Sequence, residues 1–214
     1  MDVGQNILVV AATAMELQVV QKALVHHAGV EFAAIGVGAL ATAYSLTSLL
    51  KEHKFELALN VGIAGTFYPK FELGSAVVVE QEKLADFGVA SAQGFQDIFT
   101  AGLINGHSAP FMHGVLHCPC LKDFPALKDV PKVKGLTVST LLEEDVHVRK
   151  RASLYGAEIE TMEGAAFFYV CLQESVRFLQ LRGISNVVGM RDKSKWKITE
   201  ALESIVEVVK SVVV

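Results

Sequence analysis

Cysteine is scarce in this sequence: Cys118, Cys120 and Cys171 are all it holds. So small and odd a number argues against a disulfide framework. Charge is scarce as well. Charged residues make up 20% of the 214 positions, and the net charge is -4. No basic stripe occurs, so the electrostatic footprint of a nucleic-acid binder is missing. No apolar run approaches the roughly 20 residues that a membrane span needs. The opening "MDVGQNILVV" carries an acid and no basic segment, so no signal peptide is expected and a cytoplasmic location is.

Several chemical motifs are also missing. Neither G-x-G-x-x-G nor G-x-x-x-x-G-K-S/T occurs, which removes the usual dinucleotide and P-loop readings. There is no G-x-S-x-G, and the seven histidines lie mainly in helix ends and loops, so a catalytic triad has no support. "HCPC" at 117–120 puts His117, Cys118 and Cys120 in a row, but no second cluster completes a tetrahedral site. No metal and no organic cofactor are expected.

What the sequence has in plenty is apolar residues, 51% of the chain. That suffices for a large core with a sheet buried on both faces, and the length suits one domain, 1–214. "ILVVAAT" is a continuous β-branched run of the kind found in buried parallel strands. From Thr13 the apolar spacing turns helical and runs to a cap near "HHAG". "EFAAIGVG", "ELALNVGIAG", "GSAVVVEQEKLAD", "KVKGLTVST", "AEIET" and "RFLQLRGIS" read as further strands. "ALATAYSLTSLLKEHK", the middle of "LLEEDVHVRKRASLYG", "MEGAAFFYVCLQES" and "ITEALESIVEVVKSVVV" read as helices. Residues 86–111 have no sustained period and form a long excursion, which in a compact domain tends to be functional. Strands alternating with helices predict an α/β fold of three layers, α/β/α, around a twisted, mostly parallel sheet. Ligands bind beyond the carboxyl ends of such strands. That rule points at Thr13–Glu16, Gly36–Gly38, Gly62–Gly65, Ser139–Thr140, Thr161–Glu163 and Asn186.

Two acids stand at these ends. Glu16 falls in the first turn of a helix, and Glu163 opens a helix with no further charge until Glu174. Either can be an acid stabilised by a helix N-terminus. For Glu163 the apolar surroundings make an idle carboxylate expensive. The glycines of "GVG" and "GIAG" serve either tight packing or close approach of backbone to a ligand. An acidic, amide-rich site suits water activation and stabilisation of a developing cation, as in cleavage of a glycosidic bond.

"VVAATAMEL", "GIAG", "LGSAVVVEQEKLADFGV", "GFQD", "TMEGAAFFYVC" and "ISNVVGMRDKSKW" together resemble the nucleoside phosphorylase/hydrolase superfamily, in order, from Ile7 to the closing helix. Within it they are most similar to the futalosine hydrolases, N-glycosidases of the futalosine route to menaquinone. The resemblance implies a nucleoside phosphorylase-like fold that hydrolyses futalosine to hypoxanthine and dehypoxanthine futalosine. It further implies that Glu16 activates water, Glu163 grips the ribose hydroxyls and Met162 packs against the sugar, with Gly62 and Ile63 in the substrate turn. Phosphorylases of this type hold phosphate with an arginine and a serine where this chain has Asn60 and Ile63, neither of which can neutralise a dianion. In the methylthioadenosine/S-adenosylhomocysteine nucleosidases an aspartate follows "IS". Asn186 stands there instead and suits a 6-oxopurine, whose N7 and O6 both accept hydrogen bonds. Asp192 is then the substitute for the missing general acid, with an exposed loop ion pair as its other reading. Trp196 reads as a packing anchor. Three alternatives stay open: a methylthioadenosine/S-adenosylhomocysteine-type nucleosidase, aminodeoxyfutalosine as substrate, and a nucleoside-binding module without catalysis. The resemblance also implies a homodimer or larger homo-oligomer. Phe87, Phe95, Phe99 and Phe111 supply candidate interface aromatics.

Overall fold

The computed structural model describes residues 6–67, 70–92 and 94–213. The first five residues, part of the segment read for a leader, lie outside these. The elements follow in chain order as β1 (Ile7–Ala11), α1 (Ala14–Ala23), β2 (Val30–Ala34), α2 (Ala39–Glu52), β3 (Leu57–Thr66) and β4 (Ala76–Leu84). The excursion then holds β5 (Gly88–Ser91) and β6 (Gly94–Asp97), with a two-residue β7 (Leu116–His117) beyond it. After β8 (Lys132–Thr137) come α3 (Asp145–Tyr155), β9 (Ile159–Thr161), α4 (Gly164–Gln173), β10 (Arg177–Val187) and α5 (Ile198–Val213).

Continuous apolar runs become strands buried on both faces because successive side chains point to opposite sides. In β1, Ile7, Val9 and Ala11 join one core cluster while Leu8 and Val10 join the other. The first cluster lies under α1 and α5, where Leu17, Val20, Leu202, Ile205 and Val209 pack inward. The second lies under α2 and α4, where Leu46, Leu50, Phe167 and Phe168 do so. The buried stripe of α5, Ala201, Leu202, Ile205, Val206 and Val209, has the three- and four-residue spacing of an amphipathic helix. Among the described residues, no helix is long and apolar enough to cross a membrane.

The sheet is mixed, which corrects the expectation of a mostly parallel one. Strands β1 and β2, β1 and β3, β3 and β10, β4 and β8, and β8 and β9 pair in parallel. Strands β3 and β9, β4 and β10, and β4 and β7 pair antiparallel. The physical reason lies in the connections. β3 passes to β4 with no helix between them, and a parallel neighbour needs a long crossover. β4 instead runs antiparallel to β10, and the pairings through β3, β10, β4, β8 and β9 close on themselves as a barrel.

Three local expectations shift. Helix α1 stops at Ala23, capped at Leu24, a turn before "HHAG". Strand β10 does not end before Asn186 but carries it and reaches Val187. In the excursion, Phe99 and Phe111 pack edge to face at 5.0 Å, and Phe111 lies 5.8 Å from Tyr169 of α4. These two aromatics thus have an inward role, while Phe87 and Phe95 stay exposed.

Candidate active site

A cleft of about 390 Å³ opens beyond the carboxyl ends of β1, β3 and β10. Its walls include Glu16, Ile63, Glu160, Met162, Glu163 and Asn186. The strand-end rule therefore locates it, and five of these six residues were expected from the sequence.

Glu16 is a capping acid, as one of its two readings has it, and it also lines the cleft. Thr13 caps α1, and the pair forms a reciprocal capping box. Glu16 Oε2 accepts from the Thr13 backbone N–H at 3.1 Å and from its hydroxyl at 2.8 Å. The other oxygen, Oε1, accepts from the Ile63 N–H at 3.1 Å, across on β3. The capping box thus holds the carboxylate against the glycine turn.

Gly62 lies beneath the cleft rather than in its wall. A Cβ there would stand 2.8 Å from Glu16 Oε1 and 2.7 Å from Arg182 Nη1. Only glycine lets these two groups close over the strand. Arg182 is paired in register with Gly62 and is buried. Burial lowers its pKa, against the opposing pull of the Glu163, Glu16 and Glu82 carboxylates. Among the described residues its Nε and Nη2 have no hydrogen-bond partner, and neither do the amide atoms of buried Asn60. Arg182 is absent from the sequence-based set. Its signal was an arginine inside the apolar run "RFLQLRGIS", a charge that only a buried acid or ligand can support.

Glu163 is not a capping acid. It occupies the N-cap position of α4 but makes no side-chain cap bond. Its Oε1 accepts from the Gly38 N–H at 2.9 Å, and Oε2 from the Met162 N–H at 3.3 Å. The carboxylate is thereby turned from its own helix toward the start of α2, with Met162 beside it in the wall.

Asn186 has a fixed amide. Oδ1 accepts from the Ser185 hydroxyl at 2.8 Å, and Nδ2 donates to Val187 O at 3.0 Å. An amide nitrogen carries two hydrogens, so one donor remains for a ligand.

Asp192 lies on an exposed turn. It caps the short turn at Lys193–Lys195 and accepts from the Ser194 hydroxyl at 2.6 Å and the Ser194 N–H at 3.1 Å. Lys195 lies 3.7 Å away. The Ser194 hydroxyl and N–H hold its carboxyl below the usual range. Its carboxylate thus serves its own turn, as its exposed-loop reading has it, and is not part of the cleft wall. Trp196 donates its Nε1–H to Met190 O at 2.9 Å and lies in the cleft wall.

Behind the cleft, Glu82 is fully enclosed. Oε1 accepts from Gln180 Nε2 at 2.7 Å and Oε2 from the Thr137 hydroxyl at 3.0 Å. Burial pushes its carboxyl up to about 7, against the lowering effect of these two bonds and of Arg182. The "HCPC" cysteines lie apart, with Cys118 and Cys120 Sγ 3.9 Å from each other and both directed at Phe178 O.

A family model described as the phosphorylase superfamily matches residues 13–214. The chain belongs to the phosphorylase superfamily. Among members of the superfamily, the futalosine hydrolase of Thermus thermophilus is 32% identical over 175 residues, 82% of this chain and 77% of that protein. The futalosine hydrolase of Streptomyces coelicolor is 30% identical over 193 residues, 85% of this chain and 77% of that one. The native structure of the Helicobacter pylori futalosine hydrolase superposes with a TM-score of 0.80 at 14% identity, covering 98% of this chain and 97% of that chain. That last likeness speaks for the superfamily fold.

Proposed function

We propose that this superfamily member hydrolyses the N-glycosidic bond of futalosine, releasing hypoxanthine and dehypoxanthine futalosine, a step of the futalosine route to menaquinone. The observation that carries hydrolysis over phosphorolysis is the occupation of the glycine turn. The Ile63 N–H is engaged by the Glu16 carboxylate at 3.1 Å, so negative charge stands where a phosphate dianion would need donors and cations.

The mechanism follows from the placement of groups. A water that enters the cleft beside the Glu16 carboxylate is the nucleophile. Glu16 takes its proton as the oxygen adds to C1′ of the ribose. The C1′–N9 bond breaks, its electron pair passes into the purine, which leaves as an anion and takes a proton from solvent water while Glu16 returns its own to solvent, and the sugar develops oxocarbenium character. Glu163 accepts hydrogen bonds from the ribose hydroxyls, and its negative charge stabilises that cation. Met162 packs against the sugar. Asn186 donates its remaining N–H to N7 or O6 of the base, where charge accumulates as the bond breaks. That donor arrangement favours a 6-oxopurine over adenine.

The same reading treats residues 1–214 as one domain that assembles as a homodimer or larger. Leu40, Tyr44 and Phe87 are exposed apolar groups, and Leu40, Phe87 and Tyr169 line one apolar cavity of about 550 Å³. Such a patch suits a subunit interface.

The test is incubation with futalosine, with and without phosphate. Free sugar product at a rate independent of phosphate is expected. A sugar 1-phosphate as main product would overturn the reading.

A further inference from the structure

The thiol pair of "HCPC" takes no part in the reaction above. Cys118 and Cys120 flank Pro119, and their Sγ atoms lie 3.9 Å apart. Both point the same way, because both donate to Phe178 O, Cys118 at 3.2 Å and Cys120 at 3.1 Å. The sheet explains why two thiols meet one carbonyl. The antiparallel ladder of β10 with β4 covers Leu181, Arg182 and Gly183. Earlier in β10, at Phe178, the thiols stand beside the strand in its place. Strand β7 brings them there. His117 pairs with Gln81 of β4, and the Cys118 N–H donates to Glu80 O at 3.0 Å.

The two sulfurs differ in access and in charge. Cys118 is half-buried and lines a surface cavity of about 380 Å³ with Glu80, His117, Lys122 and Lys132. Cys120 is buried and absent from that wall. The Cys118 thiol, as a hydrogen-bond donor, pulls the Cys120 thiol below its ordinary range, with help from the Arg177 guanidinium and against the effect of burial. The same shared hydrogen bond, with burial, pushes Cys118 up. The pair thus holds one proton between two sulfurs, with only the first open to a small reagent. A reachable sulfur backed by a resolving sulfur is the arrangement of reversible thiol oxidation. Residues two apart have Cα atoms at most about 7 Å apart, next to the span that a disulfide bridges, so rotation of the two side chains can bring the sulfurs to bonding distance. No residue lines both this cavity and the cleft.

We propose that Cys118 and Cys120 form a reversible oxidation site for hydroperoxides, closing to a disulfide within the chain. The site is independent of the nucleosidase reaction. Cys118 Sγ attacks one oxygen of hydrogen peroxide and passes its proton to the Cys120 thiolate. The O–O bond breaks, Cys118 becomes a sulfenic acid, and the departing hydroxide takes a solvent proton to give water. Cys120 Sγ then attacks Cys118 Sγ. The S–O bond breaks, and the hydroxyl leaves with the Cys120 proton as a second water. Peroxide is reduced and the two thiols are oxidised. Closure withdraws both S–H donors from Phe178 O, and an interior acceptor left unpaired is costly. The bond is therefore labile toward dithiols rather than a structural brace.

The test is to expose the reduced, desalted protein to hydrogen peroxide, denature it in N-ethylmaleimide and weigh it by mass spectrometry. One maleimide label, at Cys171, is expected in place of three, with Cys118 joined to Cys120. Dithiothreitol should restore all three labels. Cys171→Ser, a change inside the core cluster under α4, should leave the oxidation intact. Cys120→Ser should form no bond within the chain, and dimedone should then trap a sulfenic acid at Cys118. Three labels on the wild type after peroxide, a bond to Cys171, oxidation that dithiothreitol does not reverse, or dimedone on Cys120 in a Cys118→Ser variant would each overturn the proposal.

Discussion

At the scale of single residues, Glu16 separates stability from chemistry by the choice of replacement. A capping box accepts glutamine as well as glutamate at its third position. Glu16→Gln should therefore keep the cap but set its amide N–H against the Ile63 N–H, so Tm should fall by less than in a variant that loses both contacts. It removes the base of the proposed mechanism, so kcat on futalosine should fall by about 10²-fold or more, with KM little changed. Glu16→Ala removes base and cap together. It should lose the same activity and also about 1 kcal/mol, roughly 2–4 °C in Tm for a chain of this size. A Glu16→Gln variant with wild-type kcat would take Glu16 out of the mechanism. Asp192→Asn supplies the contrast. Its carboxylate serves an exposed turn, so kcat and its pH profile should stay within about twofold of wild type. A loss of about a hundredfold, the scale of general acid catalysis, would restore Asp192 as the acid. Residue identity was well legible where a motif carried it: Glu16, Met162, Glu163 and Asn186 all reach one cleft. The bonds of Asp192 to Ser194 were not legible, because spacing along a loop does not say which way a side chain turns. Arg182 and Glu160 were missed because their partners come from other strands and helices.

At the scale of elements, Glu82 links four of them. It sits on β4, bonds Gln180 of β10 and Thr137 of β8, and Thr137 in turn accepts from the Ala165 N–H of α4 at 2.6 Å. A Cβ on Gly164 would collide with the Glu82 carboxylate, so helix α4 can approach only because it opens on glycine. The folded carboxyl titrates near 7 rather than at its ordinary 4.5. The folded state thus favours the protonated form. That contribution is fully present below pH 4.5 and is lost as pH rises through about 7, on the order of 3 kcal/mol in all. Tm should decline from about pH 5 to pH 8 in the wild type, and Glu82→Gln should flatten that slope. An equal slope in both would assign the dependence elsewhere. Most strands and helices were legible from apolar periodicity alone. The partners of each strand were not. Periodicity says that "GSAVVVEQEKLAD" is extended, but only the helix-free passage from β3 forces β4 against β10.

At the scale of the whole molecule, the α/β class was legible because strands and helices alternate through most of the chain. The closed ring of β3, β10, β4, β8 and β9 was not, because closure depends on register between segments far apart in sequence. The exposed apolar patch around Leu40, Tyr44 and Phe87 belongs to the same scale. Sedimentation at micromolar concentration should show a dimer or larger. Leu40→Asp with Tyr44→Glu should shift it toward monomer, since charge in an apolar interface is strongly disfavoured. A wild-type monomer with full activity would refute the assembly.

The doubled use of Glu16 bears on how such a chain can change over generations. Its carboxylate closes the first turn of α1 with one oxygen and faces β3 with the other. Most replacements that silence the enzyme at this position also loosen a helix. Descent into an inert nucleoside binder is then opposed by the fold itself, and glutamine, which keeps the cap but not the Ile63 bond, comes nearest to escaping. Inactive descendants that stay well folded should arise through Glu16→Gln far more readily than through any other change at this position.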